Sequence, residues 1–464
     1  MAYSGQVRFL SLETINTPGR ATLCQGCFFE SMHISCIILR YRKALSKKSP
    51  FHIGTNRMDR DTIRAATSRL LVRRFLPKRI AARSYRLAYH ANRGELTMTS
   101  LNELYPTYFL AANAPGGFVH FYDTLYDPEA GERAFLLRGG PGSGKSTLMR
   151  QCVANAALTG QPVELFPCPA APESLDAIHL PQLGVSVIDA TPPHSIVPRY
   201  PGICEREIDL GNAWNLDKLY EYRQPMTALF QQEALLRSRL RRYIDAAGSL
   251  SDDGYRIDFK CCDQEKARRF AKRLSCSFDD ISDLQEQKGH EIYRFLSAIT
   301  SRGLLVLEQT ITMQCNTILV LEDDWGACSG LILSFLKEQL LQKGYDCIVC
   351  PSPLAPNRKI DHLLVPSLSF AVCTSSWLFP VSCATERRVH ARRFRRTDEI
   401  SAYKQHLRFN RRAMEELVHD AVILLRDANT LHGKLEQYYK QCTDYRITDA
   451  LTEQVCAQIL DWCF

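Results

Sequence analysis

The sequence predicts an α/β fold made of two tandem parallel-sheet domains, the second a degenerate copy of the first, each followed by a helical extension. Three observations lead to it. A short apolar strand runs into a glycine-rich turn and a helix at 134–150. The same strand–turn–helix order returns at 318–333 with different turn chemistry. Matched residues link the two stretches at a nearly constant separation.

The totals set the frame. At 464 residues the chain is long enough for two or three domains, each with its own core. Its 45% apolar and 23% charged residues suit a globular protein and exclude a disordered or fibrous one. The net charge of +8 is unevenly spread. Residues 1–97 hold 18 Lys and Arg against 5 Asp and Glu, a balance of +13, which leaves −5 for the rest. That acidic remainder argues against nucleic acid as a partner of residues 98–464. The 18 cysteines are scattered: Cys24 and Cys27 lack a second pair at zinc-ligand spacing, and Cys261–Cys262 has no evident partner. Many thiols without a secretory signal point to a reducing, cytoplasmic location. The longest apolar stretch, 363–381, contains Pro366 and Pro380 and is expected to be core strand rather than a membrane span.

The first loop carries the chemistry. "AFLLRGGPGSGKSTLMR" (134–150) places Gly139, Gly144, Lys145 and Ser146 at the spacing of a P-loop (Walker A), G-x-x-x-x-G-K-[ST]. The glycines let consecutive backbone N–H groups converge on phosphate oxygens, and the following helix offers its positive end to the same anion. The expected nucleotide-binding run is Gly139, Gly140, Pro141, Gly142, Ser143, Gly144, Lys145, Ser146 and Thr147. Lys145 supplies a mobile charge between the phosphates, and the Ser146 hydroxyl can complete a Mg²⁺ shell.

Downstream, the apolar run of "LGVSVIDATPPH" ends in Asp189. A carboxylate at the tip of a buried strand beside the loop would orient the metal and its waters. The alternative is an Asp that opens a turn before Pro192-Pro193. Lys145 and Asp189 are thus the expected catalytic residues, and Ser146 and Asp189 the metal ligands. Asp176 is a second carboxylate candidate, and His179 and His194 are either acid–base groups or structural. No N-K-x-D sequence follows, which favours ATP over GTP.

The second stretch, "ILVLEDDWGACSGLIL", keeps the frame and loses the chemistry. Around it, Phe109/Phe295, Ala112/Ala298, Gly117/Gly303, Asp176/Asp361 and Pro181/Pro366 fall in register. In this alignment Ser146 meets Ser329, Lys145 is replaced by Cys328, and Glu322, Asp323, Asp324 and Trp325 stand where the glycines were. Carboxylates aimed at phosphates would repel them. The second unit is therefore expected to keep the fold, pack against the first and bind no nucleotide, with a residual metal role for Asp323 or Asp324 left open.

The motifs "FLAANAPGGFVHFYD", "LLRGGPGSGKSTLM", "PESLDAIHLPQLGVSVIDATPPH" and "PRYPGICEREIDLGNAW" resemble a family of bacterial ATP-binding proteins built from two P-loop NTPase units. The resemblance covers roughly residues 105–455. It implies ATP binding with an ATPase-like or nucleotide-kinase-like activity. Where the family's second unit carries a glycine-rich loop, this chain has "EDDWGACSG".

The expected organisation is a P-loop NTPase domain with helical extension at 98–290 and a degenerate P-loop-like domain with C-terminal helices at 291–464. The leading function is Mg-dependent ATP hydrolysis at one site in the first repeat. Phosphoryl transfer to a small-molecule acceptor, or an ATP-gated scaffold without turnover that serves a protein partner, stay open. The basic cluster 387–396 is either a solvated face or the source of an arginine for the first loop's phosphates. Residues 1–97 match neither repeat. They read as a phosphate-binding arm, a targeting segment, or an upstream extension of a chain that starts at Met98, and disorder is expected of them.

Overall fold

The computed structural model describes residues 97–192, 196–278, 288–383 and 387–462, all within one compact unit. The expectations placed on the Arg-rich segment and on His194 lie outside these residues.

A short helix α1 (Met98–Asn102) leads into a hairpin of β1 (Ala111–Ala114) and β2 (Gly117–His120). Then follow β3 (Arg133–Arg138), α2 (Lys145–Thr159), β4 (Glu164–Pro167), β5 (Leu175–Leu180), β6 (Val185–Asp189) and β7 (Glu205–Asp209). These strands form one sheet in the order β4-β5-β6-β3-β7. The extension is α3 (Leu216–Glu221), the 38-residue α4 (Arg223–Lys260) and α5 (Gln264–Cys276).

The second repeat begins with β8 (Glu291–Tyr293), the hairpin β9 (Ser297–Thr300) and β10 (Gly303–Val306), and α6 (Glu308–Gln314). Its sheet elements are β11 (Thr317–Glu322), α7 (Ala327–Gln342), β12 (Cys347–Ser352), β13 (Ala355–Val365), β14 (Phe370–Ser375) and β15 (Arg387–His390), ordered β15-β11-β14-β13-β12-β8. Its extension is α8 (Thr397–Ser401), the 38-residue α9 (Lys404–Gln441) and α10 (Tyr445–Trp462).

The expected parallel sheets are corrected to mixed ones. β3 is parallel to β6 and β7, and β11 to β14 and β15, but β4–β5–β6 and β12–β13–β14 are antiparallel. The reason is connection length: four residues join β5 to β6, whereas a parallel pair needs a crossover of roughly a dozen or more. The apolar stretch 363–381 is indeed strand, with Leu363–Val365 and Phe370–Cys373 buried in β13 and β14. No helix among the described residues is long and apolar enough to cross a membrane.

Side-chain alternation makes four layers. In β3, Phe135 and Leu137 face α2, while Ala134 and Leu136 join a core shared with Ile318 and Val320 of β11. In β11, Leu319 and Leu321 face α7. The two sheets therefore lie face to face, each with its helices outside. At the junction Phe109 meets its own counterpart, and each residue donates its N–H to the other's carbonyl at 2.8 Å. The duplication extends to charge with the signs exchanged. Arg138 of β3 pairs with Glu207 of β7 at 2.7 Å, whereas Glu322 of β11 pairs with Arg388 of β15 at 3.4 Å.

The extensions are exchanged. α10 of the second repeat lays Val455, Cys456 and Ile459 on Leu148, Met149 and Cys152 of α2. α5 of the first repeat lays Ala267, Phe270 and Ala271 on Ile332, Leu333 and Leu336 of α7. α4 and α9 share a core through Leu240, Ile244, Met414 and Val418. A boundary near residue 290 separates the sheets, yet the apolar cores cross it.

Two buried histidines set an acid limit. His179 Nδ1 lies 2.9 Å from Ser186 Oγ, and His362 Nε2 lies 3.2 Å from Ser297 Oγ. Burial brings each down to about 4 from an ordinary 6.5. The unfolded chain then binds more protons than the folded one between those values, so stability is lost as pH falls from 6.5 to 4. Each histidine is worth on the order of 3 kcal/mol over that window. Denaturant titrations at pH 7.5 and 5 are expected to show this loss, and His362→Gln to reduce it.

Candidate functional site

β3 ends at Arg138, and α2 begins at Lys145 with its apolar face held against the sheet. The residue before it, Gly144, has φ 97°, a left-handed conformation that side chains disfavour, and α2 has no side-chain cap. Its first-turn N–H groups are thus open to an anion. Lys145 Nζ donates to the carbonyls of Gly139 at 2.6 Å and Gly140 at 3.1 Å and lies 3.6 Å from Asp189 Oδ2. Asp189 opens a turn and also lies beside Lys145. Its Oδ1 accepts the Thr191 N–H at 2.9 Å as a turn-opening Asp does, while its other oxygen faces Lys145. Ser146 stands in the first turn of α2, its Oγ accepting the Leu175 N–H at 3.1 Å.

Not every sequence candidate joins this group. Asp176 accepts a hydrogen bond from Tyr122 Oη at 3.0 Å inside the sheet, and His179 is bonded to Ser186. The structure adds four residues that the motif did not indicate. Thr191 Oγ1 donates to the Gly139 carbonyl at 2.9 Å. Trp214, Tyr439 and Lys440 cover the loop, the last two from α9 of the second repeat. A methyl group on Gly140 would stand 3.0 Å from the Tyr439 ring and 3.3 Å from Trp214. On Gly142 it would stand 3.1 Å from the Glu436 carbonyl and 3.2 Å from Lys440 Cγ. Only the lack of side chains at Gly140 and Gly142 admits the helix. No local signal could have revealed this cover, because more than two hundred residues separate its parts.

The end of α9 is fastened there. Asn215 N–H donates to the Cys442 carbonyl and Asp444 N–H to the Ala213 carbonyl, both at 2.8 Å, and Lys218 Nζ donates to the Gln441 carbonyl at 2.8 Å. Burial pushes the Tyr439 phenol up, and the bond from Lys440 to Glu436 raises the Lys440 ammonium. Ser143 Oγ and Trp214 Nε1 are buried beside the loop without a hydrogen-bond partner. An uncapped helix, an ammonium, two orphaned polar groups, a hydroxyl and a carboxylate form a donor set that fits phosphate groups with a divalent cation.

The second loop is filled from within. Gly326, φ 76°, occupies the place of Gly144, but only three residues separate it from β11 against five in the first loop. This corrects the register: Ala327, not Cys328, stands where Lys145 stands. Asp323 Oδ2 accepts the Ser329 N–H at 2.8 Å, taking the helix terminus that the first loop leaves open. Arg395 donates to Asp323 at 2.5 Å and to Asp258 of α4 at 2.9 Å. Asp258, Asp323 and Cys328 are close enough to share a metal ion, but Arg395 already bonds both carboxylates and offsets one of their two charges. Trp325 packs directly on Gly254.

The basic cluster serves this second loop as well. Arg388 reaches Glu322 and the Val381 carbonyl, Arg395 the two aspartates, and Arg396 the Lys260 carbonyl. None of these three is offered to the first loop. Comparison with protein-family models, with curated proteins and with solved structures finds no match to this chain.

Proposed function

We propose that the chain is a Mg²⁺-dependent ATP-binding protein, a P-loop ATPase with one site in the first repeat and a degenerate P-loop-like second repeat. The observation that carries this reading is Lys145, 3.6 Å from Asp189, at the start of an uncapped helix behind a glycine-rich loop. The helix N–H groups and Lys145 bind the phosphates, and Lys145 releases the Gly139 and Gly140 carbonyls to do so. Ser146 and Asp189 would hold Mg²⁺, which when bound neutralises charge on the phosphate oxygens. Asp189 would also order an attacking water. On this reading the chain belongs with the two-unit bacterial ATP-binding proteins it resembles and works in the cytoplasm.

One observation favours a gating role alongside hydrolysis. α9 lies on the loop and runs beside α4, so nucleotide at the loop is linked to both extensions and through them to a protein partner. Phosphorus NMR of the chain with Mg-ATP, alone and with a metabolite extract, tests the reading. ADP and free phosphate without extract are expected. A new phosphorylated species formed only with extract would make it a kinase with a small-molecule acceptor. Unchanged ATP in both would leave a binding switch or, without measurable affinity, remove the nucleotide altogether.

A further inference from the structure

We propose that Lys440, supplied by the second repeat, is a second cation for the nucleotide and contacts the terminal phosphate of ATP; this rests on the nucleotide reading above. Lys440 lies in the last turn of α9, and its Cγ would stand 3.2 Å from a methyl group on Gly142. Three bonds beyond Cγ, its ammonium has the reach to meet an anion held at the uncapped start of α2, beside Gly142. The backbone that carries it is pinned to the first repeat by the bonds at Ala213, Asn215 and Lys218. The ammonium itself is held only at the surface, by Glu436 one turn earlier at 2.9 Å. An exposed pair of this spacing is worth a few tenths of a kcal/mol and yields readily to a phosphate.

The second repeat supplies an internal control. α4 and α9 have equal length, and the backbone bridge Trp214–Thr443 corresponds to Cys262–Arg395. Counting from the helix ends, Lys440 corresponds to Phe259, Tyr439 to Asp258, and Trp214 to Arg395. The loop without its own lysine, at Ala327, is also the loop whose covering helix lacks this one. The counterparts of both lysines are missing at the site closed by Asp323, where Lys359, paired with Asp361, and Arg395, paired with Asp323, stand instead.

A cation at the terminal phosphate distinguishes ATP from ADP, whereas one that merely packs the loop does not. Titration calorimetry with Mg-ATP and Mg-ADP, together with steady-state hydrolysis, is run on the native chain, Lys440→Met and Lys440→Arg. The methionine variant is expected to bind ADP within about twofold of native and ATP about tenfold more weakly. Its kcat is expected to fall about a hundredfold, as for other charge-stabilising groups. Arginine is expected to restore most of both, and all three chains to melt together. If ATP and ADP weaken equally, or neither changes while the native chain hydrolyses ATP, the role of Lys440 is overturned and the nucleotide site stands. If the native chain binds neither nucleotide, the site itself falls and the proposal with it.

Discussion

Lys145→Ala is expected to lower ATP turnover by about 100- to 1,000-fold, the cost of losing one charged donor at a transition state. ATP affinity is expected to weaken as well, because the same ammonium serves the bound ground state. The fold should survive. Lys145 contributes hydrogen bonds to two loop carbonyls at the edge of the site, and their loss costs roughly 1 kcal/mol. Phosphate release and a thermal melt on the same preparation check both statements. Lys145→Arg is expected to fail nearly as badly, since a planar fork cannot replace a compact ammonium under the loop. Undiminished turnover in either variant would place hydrolysis elsewhere.

Arg395→Ala is expected to have the largest effect on stability, about 3–5 kcal/mol, because it leaves two carboxylates buried without their cation. Chemical denaturation at pH 7.5 measures it. The loss should shrink in acid. Burial and the neighbouring Asp323 push the Asp258 carboxyl up to about 7, against an ordinary value of 3.8. The folded chain therefore binds more protons than the unfolded one between those values, and stability from this group rises as pH falls from 7 toward 4. The variant is thus expected to lie closer to the native chain at pH 5.5 than at pH 7.5. Adding Asp258→Asn should recover part of the loss at the higher pH. Equal deficits at both pH values would show that the guanidinium acts through packing rather than charge.

Much of this was legible because it is local. Gly139–Ser146 is one contiguous run, and its strand and helix flank it directly. Asp189 was readable as the polar end of an apolar run. The duplication was visible because Phe109/Phe295 and its neighbours hold register over long stretches. What escaped the sequence is what depends on distance. Nothing in Tyr439 or Lys440 marks them as neighbours of a loop three hundred residues earlier. The basic cluster 387–396 looked available because its acidic partners, Asp258 and Glu322, come from other elements. The Cys328 alignment went astray because matching letters hid a loop two residues shorter, which only the left-handed glycines reveal.

The mutual hydrogen bonds of Phe109 and Phe295 carry one more implication. A residue and its counterpart exchange hydrogen bonds in this way across a local two-fold axis, so the two halves of the chain meet as the subunits of a symmetric dimer would. In a true homodimer every substitution appears twice, and closing one loop with a carboxylate would close both. Fusion removes that constraint. One half can then carry a loop closed by Asp323 while its helices cover the open loop of the other.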